Sequence, residues 1–147
     1  MFEKKFFAGW GDMDFNAHMR NTAFLDRAAD VRMLFFAEHG FPMSEFMRLK
    51  IGPVVMKDEI EYFREINLLD ELKVTLAMAG ISDDGSRFSL RNEFFRGDGQ
   101  LAARMSSSGG WLDLGSRKLV AAPDQLLAAL LSLSRTGDFQ VLKSSLS

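Results

Sequence analysis

Residues 12–24 read DMDFNAHMRNTAF and lie where the sequence changes from a strand pattern to a helix pattern. Residues 2–10 are rich in aromatic side chains and end in a cluster of glycine and aspartate, which predicts a β-strand. Apolar residues then recur at steps of three and four, which predicts an amphipathic helix over residues 21–40. Asn21 and Thr22 are both suitable N-cap residues for this helix. The quoted stretch is therefore expected to form the loop that joins a strand to a long helix.

The rest of the chain alternates strand-like runs with turn signals, a pattern typical of an antiparallel meander. Glycine and aspartate at 83–85 and 97–99 predict tight hairpin turns. We also expect one short helical turn at 42–45 and a helix over 123–133. The predicted strands cover residues 54–65, 71–81, 88–96 and 101–114. Because the long helix must bury its apolar stripe against the sheet, we expect an α+β fold in which an antiparallel sheet wraps around one long helix.

Length and composition bound the class of protein. The chain has 147 residues, so we expect a single domain over residues 1–133 and a weakly attached, serine-rich tail over 134–147. The net charge of -2, from 18 basic and 20 acidic side chains, argues against nucleic acid as a partner. Cysteine is absent, which excludes disulfides, thiolate metal sites and cysteine nucleophiles. We recognise neither a secretory signal nor a membrane-spanning stretch, and we expect a cytoplasmic protein without a membrane partner.

Three chemically capable side chains, Asp12, Asp14 and His18, lie close together in the predicted loop. Functional residues concentrate on loops that a rigid scaffold holds, and this loop leads into a helix N-terminus. Such a terminus offers free N–H groups and the positive end of the helix dipole, so it can hold an oxyanion. A carboxylate just before it can attack an electrophile or activate water. The residues alone also allow a plainer role, in which Asp14 only braces the loop.

The same segment resembles the signature of the 4-hydroxybenzoyl-CoA thioesterase-like branch of the hot-dog superfamily, roughly D-x-D-x-x-G-H-V-N-N followed by an aromatic residue. The matching positions are held by Asp12, Asp14, His18, Asn21 and Phe24. The runs VVMKDEIEYFR at 54–64 and LDELKV at 69–74 resemble the second and third strands of that family, so the likeness covers most of residues 3–122. It implies a hot-dog fold, hydrolysis of an acyl-CoA without a cofactor or metal, and assembly as a homodimer or dimer of dimers.

The resemblance also implies roles for individual residues. Asp14 would act either as the nucleophile, forming a mixed anhydride, or as a general base toward water. The backbone N–H of Asn21 would polarise the thioester oxygen. His18 would bind or orient the substrate, or it would only order the loop. Asp12 is expected to be structural, because two ionised carboxylates at one carbonyl would repel the developing negative charge.

Three positions depart from the family pattern. Ala17 stands where the family usually has glycine, Arg20 replaces the first asparagine of the pair, and Gly9 stands where arginine is common. A Cβ makes positive φ costly, so we expect the backbone of Ala17 to keep a negative φ.

Other classes fit the sequence less well. The pair Asp12 and Asp14 also resembles the opening of aspartate-nucleophile phosphatases and the metal-binding pair of some glycosyltransferases, but those phosphatases need a parallel sheet. A zinc site would need three protein ligands, and His18 and His39 are predicted to lie at different ends of the helix. The main alternative is a non-catalytic acyl-CoA-binding hot-dog protein. The CoA phosphate contacts stay unassigned among Lys57, Arg64, Arg91 and Arg104.

Overall fold

The structure, a computed structural model, describes residues 1–146. In chain order its elements are β1 (Phe2–Phe7), α1 (Asn21–Glu38), α2 (Met43–Leu49), β2 (Ile51–Tyr62), β3 (Glu71–Ser82), β4 (Arg87–Arg96), β5 (Leu101–Asp113), β6 (Leu119–Val120), α3 (Asp124–Leu131) and β7 (Arg135–Leu142). The predicted strands and helices are therefore confirmed in type and order, although the first strand ends at Phe7 and Trp10–Asp12 forms a short 3-10 helix. The predicted helical turn at 42–45 is the start of the longer helix α2. No helix within residues 1–146 is long and apolar enough to cross a membrane.

The sheet follows the order β1-β3-β4-β5-β2, with antiparallel pairing along this path. Strands β3, β4 and β5 form the predicted meander, and their connecting turns contain Gly85 at φ +69° and Gly99 at φ +84°. Strand β2 departs from a simple meander because it pairs with β5 rather than with β3. Helices α1 and α2 carry the chain across one face of the sheet after β1, so β2 enters the sheet at the opposite edge. Strand β6 adds a short pairing with β5.

Helix α1 packs against the sheet and supplies much of the core. Its buried residues recur at helical spacing, and the strands present alternate residues to it. The fully or almost fully buried positions of α1 are Ala23, Phe24, Ala28, Val31, Phe35 and Phe36. The expectation of an α+β fold with an antiparallel sheet around one long helix is confirmed.

The start of α1 differs from the prediction in one respect. Arg20, and not Asn21 or Thr22, is the N-cap residue, with extended backbone angles of φ -74° and ψ 154°. The N–H of Arg20 donates to the carbonyl oxygen of Asp12 at 2.9 Å. This contact with the loop holds Arg20 extended and leaves Asn21 as the first helical residue. At the other end of α1, Gly40 has φ +82°, as expected of a glycine beyond a helix end.

The C-terminal segment is more ordered than the expected weakly attached tail. Its strand β7 pairs in parallel with residues 78–82 of β3. Strand β1 is short and covers only residues 71–76 of the same edge. The remaining half of the edge would otherwise expose free backbone groups, and β7 satisfies them. The division at residue 133 stays a prediction, and Ser147 lies outside the described residues.

Strand β2 forms the other edge of the sheet. It runs over Ile51–Tyr62, and no strand within residues 1–146 pairs with its outer side. The pairing with β5 shifts register between Val55 and Lys57, so Met56 sits at a bulge. Val55 and Met56 are exposed. The fold thus leaves one long, partly apolar edge open.

Candidate active site

The loop before α1 is a small hairpin that presents Asp14. Met13 and Met19 form an antiparallel bridge, and the N–H of Asp14 donates to the carbonyl oxygen of His18 at 2.8 Å. The carboxylate oxygen Oδ1 of Asp14 accepts the N–H groups of Asn16 at 2.8 Å and His18 at 3.2 Å. Asp14 is exposed, and no described contact within residues 1–146 engages its second oxygen. One oxygen therefore braces the loop while the other remains available.

Ala17 has a positive φ of 61°, so the expectation of a negative φ was wrong. Its N–H donates to the carbonyl oxygen of Asp14 at 3.1 Å, which closes a tight turn. The hydrogen bonds on both sides of the turn fix the left-handed conformation, although a Cβ there costs about 1–2 kcal/mol. The chain thus keeps the turn geometry that glycine would adopt freely.

Asp12 has the contacts of a structural residue. Its Oδ2 atom accepts the N–H of Gly9 at 2.9 Å and pairs with Nη2 of Arg27 at 3.1 Å. The guanidinium of Arg27 lies over the ring of Phe6, with 5.0 Å between its carbon and the ring centroid. Asp12 therefore ties the loop to β1 and α1, and its charge is balanced within this cluster.

His18 is attached to the segment that follows β2. Its backbone forms a bridge with Asn67, and the N–H of the next residue, Met19, donates to the carbonyl oxygen of Ile66 at 2.7 Å. The ring atom Nε2 lies 3.1 Å from Oε2 of Glu65. Sequence reasoning did not identify Glu65, because its distance from His18 along the chain gives no local signal.

The first turn of α1 follows directly. Asn21 accepts the N–H of Thr22 at 3.0 Å through its side-chain oxygen Oδ1. The backbone N–H groups of a first helical turn have no acceptor inside the helix, and they lie at the positive end of the dipole. Arg20 departs from the family pattern, and its contacts give this residue a structural role. Its guanidinium donates to the carbonyl oxygen of Gly11 and to Oγ1 of Thr22. It thereby joins the loop to the helix start.

Two hollows flank the loop, and they separate the predicted site residues. A hollow of about 300 Å³ is lined by Trp10, Met13, Asp14, Phe15 and Ala17. A second hollow of about 240 Å³ is lined by His18, Met19, Phe24, Tyr62, Phe63, Arg64, Glu65 and Ile66. Asp14 and His18 are joined through the backbone, but their side chains line different hollows. The aromatic rings beside Asp14 are strongly exposed, at 98% for Phe15 and 79% for Trp10.

Two of the four basic residues considered for CoA phosphates are engaged within the sheet. Both terminal nitrogens of Arg91 bind the carboxylate of Asp138 on β7, at 2.7 and 3.0 Å, and this contact lowers the pKa of Asp138. Arg104 binds Glu93 at 3.0 Å. Among residues 1–146, no group of three or more histidine, aspartate or glutamate side chains is arranged to hold a metal ion.

Comparison with known proteins places the chain in a family. Residues 8–130 match the family model described as the thioesterase-like superfamily. No curated protein matches the sequence well enough to count as a relative. Solved structures do match the structure of this chain. Their sequence identities are low, so the likeness shows the fold alone.

A protein of Staphylococcus aureus, solved in complex with CoA, is 22% identical with a TM-score of 0.82, over 88% of this chain and 81% of its own. A 1,4-dihydroxy-2-naphthoyl-CoA thioesterase from Synechocystis is 18% identical with a TM-score of 0.81, over 90% and 96%. The probable thioesterase YbaW from Escherichia coli is 20% identical with a TM-score of 0.75, over 88% and 96%. The expected hot-dog fold is thereby confirmed.

Proposed function

We propose that this protein, which belongs to the thioesterase-like superfamily, hydrolyses the thioester bond of an acyl-CoA to a carboxylic acid and CoA. The observation that carries the proposal is the exposed carboxylate of Asp14 on a loop that ends at the N-terminus of α1. A thioester has a good thiolate leaving group. Hydrolysis therefore needs a positioned attacking group and stabilisation of the oxyanion, and both functions fit this loop.

Asp14 has two chemically complete routes. As a nucleophile, its free oxygen bonds to the acyl carbon, the carbon–sulfur bond breaks, and CoA leaves as a thiolate. Water then hydrolyses the resulting mixed anhydride. As a general base, Asp14 takes a proton from water while the water oxygen bonds to the acyl carbon and the thiolate leaves. In both routes the negative charge on the former carbonyl oxygen would be stabilised by the backbone N–H of Asn21.

His18 has a supporting role in the proposal. Its ring lines the hollow beside the loop and contacts Glu65, so it can bind the substrate there or keep the loop in place. We expect His18→Ala to reduce kcat less than Asp14→Asn does if it orders the loop, and to a comparable extent if it orients the substrate. No cofactor is proposed, because CoA is part of the substrate.

We also propose a homodimer or a dimer of dimers. The outer side of β2 is open within residues 1–146, and Trp10 and Phe15 are exposed beside Asp14. A second copy of the chain would cover apolar surface of this kind. Sedimentation at micromolar concentration is expected to give a dimer or tetramer, and a monomer would contradict a site shared between subunits.

The decisive experiment is a hydrolysis assay with acyl-CoAs of increasing chain length. Asp14→Asn should lower kcat by at least ~100-fold, the scale of losing a general base, while the melting temperature changes little. The fold is expected to persist because the amide oxygen of asparagine can still accept the N–H groups of Asn16 and His18. Asp83→Asn is a matched control, since Asp83 is exposed in a turn remote from the loop. Unchanged turnover in Asp14→Asn would contradict the mechanism.

A non-catalytic acyl-CoA-binding protein is the second candidate. It is favoured by one observation, that Oδ1 of Asp14 already braces the loop through two backbone hydrogen bonds. In that case calorimetry would detect acyl-CoA binding, the wild type would hydrolyse none of the series, and Asp14→Asn would bind as the wild type does.

A further inference from the structure

A polar network that the proposed mechanism does not use connects α1 to the edge strand β2. Nη1 of Arg32 donates to Oγ of Ser107 at 3.2 Å, and the same hydroxyl donates to Oδ1 of Asp58 at 2.6 Å. Ser107 is fully buried in β5, Arg32 is half-buried and Asp58 is exposed. The hydroxyl is therefore a bridge between a cation and an anion.

The two charges of this network are incompletely satisfied. Within residues 1–146, Arg32 forms no ion pair and no hydrogen bond besides the one to Ser107. Burial lowers the pKa of Arg32, and the nearby charge of Asp58 offsets only part of this effect. A guanidinium has five N–H donors, and burying a charge is costly unless it is paired. Among residues 1–146, the second oxygen of Asp58 likewise forms no hydrogen bond or ion pair. The network thus has unused N–H donors on Arg32 and an unused acceptor oxygen on Asp58.

The network and the hollow that contains His18 both involve helix α1 and strand β2. At the hollow, Phe24 of α1 packs edge-on against Tyr62 of β2, with ring centroids 5.3 Å apart. Two helical turns further along α1, about 12 Å, is Arg32. Asp58 precedes Tyr62 on the same face of β2 by about 13 Å. Helix α1 and strand β2 are therefore in contact at the hollow and are joined through Ser107 at the network.

The side chain of Arg32 is expected to shorten the distance between the network and the hollow. Side chains on a helix tilt toward its N-terminus, so the guanidinium lies nearer to the hollow than its own Cα does. An acyl group that starts at the N-terminus of α1 and runs between α1 and β2 would bring its own far end to Arg32 and Asp58.

We propose that Arg32 and Asp58 determine specificity by binding a hydroxyl group on the acyl part of the substrate. This inference rests on the proposed acyl-CoA function. A hydroxyl accepts one hydrogen bond and donates another, so it matches a free guanidinium N–H and a free carboxylate oxygen at once. A carboxylate on the acyl group would meet the like charge of Asp58. An unsubstituted chain would leave both polar groups without partners.

The test measures binding without hydrolysis. The probes are S-alkyl thioethers of CoA with a terminal hydroxyl, at increasing chain length, each compared by calorimetry with the unsubstituted and the terminal-carboxylate thioether of the same length. At one length the wild type should bind the hydroxyl probe roughly 10- to 100-fold more tightly than the unsubstituted probe, the size of a hydrogen bond to a charged group. Arg32→Met should abolish that preference, because methionine has no N–H donor, so that it binds the hydroxyl probe and the unsubstituted probe with similar affinity.

Controls separate specificity from folding. Asp58→Asn should reduce the preference, and Arg32→Lys should retain part of it, since the charge remains. Arg48→Met is the matched control, because Arg48 is an exposed α2 residue paired with Glu45 in the same helix. A thermal melt of each variant establishes folding, and if Arg32→Met does not fold, Arg32→Lys and Asp58→Asn carry the test.

The outcomes distinguish this inference from the proposed function. Hydrolysis of acyl-CoAs with no preference for hydroxyl probes at any length would overturn only the role of Arg32 and Asp58. Tighter binding of the carboxylate probe, or a preference retained in both Arg32→Met and Asp58→Asn, would also overturn it. A hydroxyl preference that depends on Arg32, without any hydrolysis, would support this inference and contradict the enzymatic proposal. Absence of binding by every probe would overturn both.

Discussion

Two aspartates in this molecule brace turns in the same way and differ in what their second oxygen contacts. Oδ1 of Asp14 accepts the N–H of Asn16, and Oδ1 of Asp84 accepts the N–H of Ser86, in each case two residues along the chain. Oδ1 of Asp84 also accepts the hydroxyl of Ser82 at 2.8 Å, and its Oδ2 accepts the hydroxyl of Ser144. The carboxylate of Asp84 is thus engaged at both oxygens, whereas that of Asp14 is engaged at one.

The difference supports a structural role for the turn of Asp84 and the reactive role that we propose for the turn of Asp14. Hydrogen bonds from Ser144, Ser86 and Ser82 lower the pKa of Asp84 and stabilise its charge where it is. Those contacts tie the C-terminal segment to the turn between β3 and β4. Asp14 has exposed apolar neighbours and no described cation or hydroxyl partner among residues 1–146. The second oxygen of Asp14 is therefore available to a ligand, whereas both oxygens of Asp84 already accept hydrogen bonds.

Lengthening the two side chains should give the largest contrast. Asp14→Glu moves the carboxylate by about 1 Å or more, and a misplacement of this size can cost about 100-fold in rate. Asp84→Glu should leave kcat unchanged, because the turn between β3 and β4 is not part of the proposed site. Steady-state kinetics on one acyl-CoA compares the two variants. Equal losses of kcat would show that the contrast concerns folding alone.

Substitutions at the residues with positive φ should also have different effects in the two turns. Gly85 has φ +69°, and an added Cβ would lie 2.9 Å from side-chain atoms of both Ala122 and Leu127. Gly85→Ala should therefore lower the free energy of unfolding by about 1–3 kcal/mol through strain and overpacking. Urea denaturation measures this change. A fully stable variant would mean that α3 moves away from the turn without cost.

Removing the charge of Asp84 should give a smaller, pH-dependent effect. A carboxyl group whose pKa is lowered by folding contributes stability above its unfolded pKa, and loses it as pH falls through the folded value. Asp84→Asn should thus reduce the melting temperature by a few degrees at neutral pH, and the difference from wild type should narrow below about pH 4. Asp83→Asn is the control. A difference independent of pH would exclude the charge as its origin.

Ala17→Gly should have the smallest effect. Glycine removes the cost of the left-handed conformation at φ +61°, but it also increases the entropy of the unfolded chain. These effects oppose each other, so the free energy of unfolding should change by less than about 1 kcal/mol, and kcat should be retained. A large loss of kcat with unchanged stability would show that the methyl group of Ala17 contacts the substrate.

Local periodicity was sufficient for most of the fold. The apolar stripe from Phe24 to Phe36 and the alternating runs after residue 50 determine which faces are buried, so element types and order could be predicted. The pairing between strands that are distant in the sequence could not be predicted. Strand β2 joins β5 because of where α1 and α2 carry the chain, and β7 fills the part of the β3 edge that β1 leaves free. Neither strand pairing is indicated by a sequence pattern within a single segment.

The candidate site was predictable to a similar extent. The loop, its aspartates and the helix start stand together in the sequence, and so they could be identified there. The conformation of Ala17 was predicted wrongly, because the preference of one residue was outweighed by hydrogen bonds on both sides of the turn. Glu65, Arg32 and Asp58 could not be identified as candidates from the sequence. Only the folded chain brings Glu65 to His18, and Arg32 and Asp58 to Ser107.

The division of the β3 edge between β1 and β7 has a consequence for synthesis on the ribosome. The first half of the edge is paired by residues 2–7, which are made before β3, and the second half is paired by residues 135–142, which are made long after it. While translation proceeds, residues 78–82 therefore expose free backbone groups that a neighbouring nascent chain can pair with. Protection of this half of the strand depends on the last elements of the domain to emerge.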